Sequence, residues 1–176
     1  MHSRISLPKG IYHDRLIRTG GHVIDLGWRS NIVVDRCRSL LAAFMRGDPP
    51  SSGIQFLAVG KGLEAWDSLA SPTPPASSDE QLEDSSPFPI TVDSTMIEYL
   101  DAAGNTSTGA TNRVQVTVTM GPGTPPIDPA ETTYPLREFG LFGSLNGVDY
   151  MIDYVRHPVI HKQADDTLVR TIRLVF

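Results

Sequence analysis

Alternation of apolar and polar residues dominates the second half of the chain. "RVQVTVTM" places Val114, Val116, Val118 and Met120 on one face and Gln115, Thr117 and Thr119 on the other, the period of a half-buried strand. "TLVRTIRLVF" carries an apolar row of Leu168, Ile172, Leu174 and Phe176, interrupted by Arg170. Between them, residues 136–142 read as a strand, 144–147 as a turn around Asn146 and Gly147, and 148–155 as the return strand. Asn-Gly suits the positive φ values of a tight hairpin turn. On the return strand Tyr150, Ile152 and Tyr154 fall on one face, with Asp149, Met151, Asp153 and Val155 opposite. Apolar residues on both faces predict that both are covered.

The first half mixes periods. "HVIDLGW" reads as a short strand, and "SNIVV" continues it toward Val34. Val33, Cys37, Leu40, Leu41 and Phe44 then follow helical spacing and predict one amphipathic helix over 35–46. Asp35 or Asn31 is placed to cap its start, Gly47 to end it, and Asp48-Pro49-Pro50 to forbid continuation. Arg36, Arg38, Ser39 and Arg46 lie on its wet side. "IQFLAVGKG" reads as an apolar strand ending in glycines, and residues 90–100 as another strand. Residues 1–20 lack strong periodicity and read as an N-terminal arm. Residues 21–176 then form a single β-rich domain with long loops at about 70–89 and 121–135. The first loop, rich in Pro, Ser and acid, buries little on this reading and, with the arm, orders only on a partner. The predicted fold is mainly β (α+β): an antiparallel β-sandwich or flattened barrel with one packed helix.

Composition narrows the function classes. A net charge of -5 over 176 residues leaves no basic footprint, so no nucleic-acid partner is expected. The one cysteine, Cys37, lies within the apolar stripe and is expected to be a packed core thiol in a chain folding in a reducing cytoplasm. The start "MHSRISLPKG" has no apolar signal region, and no run approaches the ~20 apolar residues of a spanning helix. A soluble chain with no membrane insertion is expected.

Tests for chemistry find little. Gly60-Lys61-Gly62 lacks the spacing of a P-loop or a dinucleotide turn. His157 and His161 are four apart, but Pro158 and the β pattern oppose a helix that would bring them together. Asp165-Asp166 lacks the pattern of a calcium loop, and Asp79, Glu80, Glu83 and Asp84 lie in the acidic loop. There is no GxSxG elbow. No catalytic residue, metal ligand or cofactor is expected. Glu138 reads as a polar residue pairing across the sheet or onto a backbone amide, and Arg137 as its solvent-side companion.

The order of pieces adds a resemblance. "GWRSNIVVDRCRSLLAAFMRGD", "IQFLAVGKG", "LREFGLFG" and the closing "HPVIHKQADDTLVRTIRLVF" resemble a group of bacteriophage tail and phage-tail-like contractile particle proteins. Those chains carry an N-x-I/V…LLA strand-helix element, an A-V-G-x-G strand, an E-x-G-L-F hairpin and a lysine-containing turn before a last strand. The match runs on 31–44, 54–62, 138–142 and 162–176, with the Pro-rich loops outside it. The resemblance implies a non-catalytic structural subunit, of the baseplate or fibre-attachment type. It would form a homo-oligomeric ring, trimer or hexamer with other tail or baseplate proteins. Such a chain is assembled in the bacterial cytoplasm and resides in the virion or particle. Tyr134, Phe139, Phe142, Tyr150 and Tyr154 are the candidate aromatic anchors of that interface, should they face outward. The alternatives are a collar or cap subunit and a carbohydrate-binding β-sandwich at a receptor-binding tip. The carbohydrate reading requires solvent-facing aromatics beside polar groups, with Trp28 and Trp66 as the residues to inspect. An enzyme would require His157, His161 and a carboxylate within reach of one another.

Overall fold

The computed structural model describes residues 8–48, 51–69 and 71–176. In it the alternating segments become ten strands in one antiparallel sheet that does not close into a barrel. The strands are β1 (Lys9–Ile17), β2 (Val23–Val33), β3 (Ser51–Gly60), β4 (Phe88–Thr91), β5 (Ile97–Leu100), β6 (Thr106–Ser107), β7 (Arg113–Met120), β8 (Tyr134–Leu145), β9 (Val148–Lys162) and β10 (Thr167–Val175). Their spatial order is β4-β3-β8-β9-β2-β1-β10-β7-β5-β6. β2 joins the two halves, because its first part pairs with β1 while only Ile32 and Val33 pair with β9. The sheet doubles over there. One core cluster unites Leu16, Val118 and Ile172 of one half with Leu57, Leu136 and Phe139 of the other, which is sandwich packing.

The single α-helix among the described residues, α1 (Asp35–Arg46), has the predicted bounds. Its cap differs. Val34 occupies the N-cap position with no side-chain hydrogen bond, because the Asn31 side chain is engaged elsewhere. Gly47 ends the helix in the left-handed region, at φ 76°, and donates to the Phe44 carbonyl. Cys37, Leu40 and Ala43 form the buried stripe, so Phe44 lies at its margin and is exposed. The proposed stop at Pro49 and Pro50 lies outside the described residues.

Four expectations change. Residues 9–17 are no arm: β1 lies between β2 and β10, with Tyr12, Asp14 and Leu16 facing inward. The domain thus includes residues that the sequence reading left outside it, and the first seven residues of the expected arm lie outside the description. Asp14 hid this strand by placing a charge in its apolar row. Second, 90–100 is no continuous strand. The Asp93 carboxylate accepts from the Thr95 amide, starting a 3-10 turn, Ser94–Met96, that separates β4 from β5 at opposite ends of the sheet.

Third, strict alternation fails on β9. Leu141 pairs with Asp153 but Phe142 with Met151, so Ile152 is an extra residue in a β-bulge. Tyr154 therefore clusters with Met151 and Phe142, while Ile152 and Val155 enter the main core. Fourth, the loop after β3 is anchored on the chain itself. Pro72, Pro75 and Leu82 are buried, and the Asp35 amide donates to the Ser77 carbonyl at 2.8 Å. Ala70, where the predicted loop begins, lies outside the described residues. The hairpin turn matches expectation, with Asn146 and Gly147 at φ 53° and 74°.

Candidate functional site

The motif residues converge on β3, β8 and β9, where they hold the 71–87 loop. Glu138, on β8, is fully buried. Its carboxylate accepts from the Glu83 amide at 3.0 Å and the Asp84 amide at 2.7 Å, and from the Tyr154 hydroxyl. Burial, reinforced by the bond to Glu138, pushes the Tyr154 hydroxyl pKa well above its usual range, so it remains a donor. Asp84 accepts in turn from the Lys61 amide at 2.8 Å and the Ser86 amide at 2.9 Å. Two glycines make room. A Cβ at Gly60 would lie 2.6 Å from Glu138 Oε1 and 2.9 Å from Asp84 Cβ, and one at Gly140 only 2.8 Å from the Asp153 carbonyl oxygen. The AVGxG strand and the ExGLF hairpin are thus one device for seating a loop.

Arg137 is not a solvent-side companion of Glu138. It is buried, with Nε and Nη2 donating to Asp67 at 2.8 and 2.7 Å and Nη1 to the Lys61 carbonyl at 2.8 Å. It fastens the 3-10 turn Glu64–Ser68, whose Trp66 packs over Gly62 and under Arg156. The backbone-amide expectation for Glu138 matches its contacts.

Asn31 and Asp153 form a second knot where β2 passes between the halves. Asn31 Nδ2 donates to Asp153 at 2.6 Å, and the Leu141 amide donates to the same carboxyl at 2.8 Å. The Asn31 side chain lies across Gly10, where a Cβ would overlap it. A third knot joins β1, β9 and β10. Arg170, fully buried, donates from Nε and Nη2 to Asp14 at 2.8 and 2.7 Å, with its guanidinium 3.8 Å from the centroid of the Phe139 ring. Arg170 Nη2 also meets His157 Nε2 at 3.1 Å. Arginine only donates, so His157 Nε2 accepts and its Nδ1 carries the proton, donating to the Pro158 carbonyl at 2.8 Å.

Comparison with protein-family models, curated proteins and solved structures finds no match.

The candidate anchors separate by burial. Tyr134, Phe139, Phe142 and Tyr154 are core residues, and Tyr150 is half-buried beneath Arg36. Buried rings cannot anchor a partner, so that assignment is corrected for those four. The cause is the cover on both faces of β8 and β9. Trp28 is 45% exposed, with its ring stacked on His13 and the Arg173 guanidinium 4.6 Å from the ring centroid. His157 and His161 do not form a joint site: His157 faces Arg170, while His161 Nδ1 lies 3.1 Å from the Thr133 hydroxyl. Burial pushes the Cys37 thiol up to about 12, far from a reactive thiolate at neutral pH. Among the described residues no group of three His, Cys, Asp or Glu could hold a metal ion. Sequence reasoning missed Asp14, Arg170, Asp153 and the true role of Asn31. The available signal was opposite charges interrupting two apolar rows, Asp14 in one and Arg170 in the other.

Two buried groups titrate in opposite senses. Burial pushes Asp153 up to about 6, so the folded state binds its proton more tightly than the unfolded chain does. Its contribution to stability is present at low pH and is lost as pH rises from about 4 through 6. Burial, followed by repulsion from Arg170, pushes His157 down to about 4. Its contribution is present above about 6.5 and is lost as pH falls through 4. Each amounts to about 3 kcal/mol, and over pH 4–6 they nearly cancel. Asp153→Asn is expected to make stability rise more steeply with pH than in the parent. His157→Gln, which keeps an acceptor for Arg170, is expected to do the reverse. Urea midpoints at pH 4.5 and 6.5 read the difference, and parallel slopes in all three proteins would refute it.

Proposed function

We propose that this chain is a non-catalytic structural subunit of a bacteriophage tail or phage-tail-like contractile particle. It acts at the baseplate or fibre-attachment region, with a collar or cap position as the alternative. The supporting observation is the use of the motif residues: Asn31, Gly60, Glu138 and Gly140 hold backbone and loop in place instead of lining a cleft. The buried ions do the same, each tying together segments distant in sequence. A subunit that must dock repeatedly in one geometry gains from this, because a loop ordered before association loses little entropy on binding.

The 71–87 loop is the contact surface on this reading. Its exposed side presents prolines, serines and the carboxylates Glu80 and Glu83 from a fixed backbone. Met45 and Phe44, at the end of α1, and Val148, beside the hairpin turn, are exposed apolar side chains that replace the buried aromatics as contact residues. Light scattering on the purified protein, alone and with co-expressed tail proteins, tests the reading. A ring-sized mass or a stoichiometric complex is expected, whereas a monomer that binds none of the tail proteins would refute it.

A further inference from the structure

On the face of β1, β10 and β7 turned away from the core, a hollow of about 300 Å3 lies against the turn that follows β5. The antiparallel register builds it. Lys9, Val175 and Arg113 stand side by side in one row, and Ile11 and Arg173 in the next row on the same face. Three neighbouring strands therefore bring Lys9, Arg113 and Arg173 around one space, with Ile11 and Leu100 as apolar wall.

The charge of this hollow has no internal answer. Among the described residues none of its three cations is in an ion pair, although the chain is acidic overall and most of its other arginines are paired. Asp101 also lines the hollow, but it serves its own turn: Oδ1 accepts from the Ala103 and Asn105 amides at 2.8 and 2.9 Å, and Oδ2 from the Asn105 side chain at 3.3 Å. Arg173 is held in place before any ligand arrives. Its Nε donates to Gln115 at 2.8 Å, its guanidinium lies 4.6 Å from the Trp28 ring centroid, and a Cβ at Gly104 would sit only 3.2 Å from Nη1. Both terminal nitrogens keep donors for a planar acceptor.

We propose that this hollow binds a small organic carboxylate, its head on Arg173 and Arg113 with Lys9 adding charge, and its apolar body against Ile11 and Leu100. The volume is at the small end of ligand cavities and suits a short-chain acid. The site stands apart from the assembly role and does not depend on it.

The experiment titrates the protein with hexanoate, acetate and hexanol. Trp28 fluorescence in a Trp66→Phe background reports on the neighbouring Arg173, and calorimetry on the parent protein serves as a second readout. Saturable hexanoate binding is expected, with acetate about tenfold weaker or more, because each buried methylene adds roughly 0.8 kcal/mol. Hexanol is expected to give no saturable signal. Lys9→Gln with Arg113→Gln leaves the Arg173–Trp28 contact intact and is expected to weaken hexanoate about tenfold or more. Absence of saturation by both readouts overturns the proposal. So does hexanol binding as well as hexanoate, or affinity unchanged in the double variant.

Discussion

Replacing Arg170 by leucine is expected to destabilise the fold by about 3–5 kcal/mol, read as a fall in the urea midpoint with little change in slope. The size follows from what would remain. Asp14 is buried, and its carboxylate has no comparable partner besides the two guanidinium bonds from Arg170. His157 Nε2 would lose its donor at the same time. Burial tends to raise the Asp14 pKa, and the Arg170 charge and hydrogen bonds outweigh it, leaving the carboxyl below its usual range. Removing Arg170 reverses that balance. Replacing Asp14 and Arg170 together with leucines is expected to be less costly than Arg170→Leu alone, leaving about 1–3 kcal/mol for the unpaired histidine nitrogen. A single variant within 1 kcal/mol of the parent would show that the pair is not a brace.

Glu138→Ala is expected to cost about 3 kcal/mol and to convert the 71–87 loop from protease-resistant to cleavable. The substitution leaves the Asp84 amide without its acceptor, the Glu83 amide with only the Tyr154 hydroxyl at 3.2 Å, and that hydroxyl without its own acceptor. It also opens space beside Gly60. The loop would keep Leu82, the two buried prolines, the Asp35–Ser77 backbone bond and the Arg36–Glu80 ion pair, and would lose its hold on β8. Limited proteolysis of the isolated chain reads both states. Cleavage within 71–87 of the parent would mean that the loop orders only on a partner. Resistance in both parent and variant would mean that Glu138 is not what seats it.

The legible parts of this fold are those whose causes lie within a few residues. The bounds of α1 follow from its stripe and from Gly47, and the β8–β9 turn from Asn146 and Gly147. β1 was illegible because the charge that breaks its apolar row is answered by Arg170, 156 positions away. The face of Tyr154 was misassigned because one extra residue, Ile152, reverses a period of two, and nothing local announces a bulge. Arg137 reads as the solvent-side companion of Glu138 because adjacent residues on a strand point to opposite sides, and one side is ordinarily wet. Here each side is covered, by the 3-10 turn and by the acidic loop. Of the candidate site, Glu138 and the glycines were visible as a motif. Their purpose became visible only once the loop 54 positions upstream was in place.

The pairing of β1 with β10, which sets Lys9 opposite Val175, also has a consequence for biosynthesis. A nascent β1 leaves the ribosome with its β10 partner still untranslated, and at typical rates it waits roughly 10–30 s. During that interval Tyr12 and Leu16 lack their cover, and the Asp14 carboxylate stays in water until Arg170 arrives. Closure of the sandwich is thus a late, non-local event of the kind that slows folding. A polar, hydrated Asp14 keeps the waiting strand from being a fully apolar edge, so the charge that brakes sequence reading also guards the nascent chain against premature association.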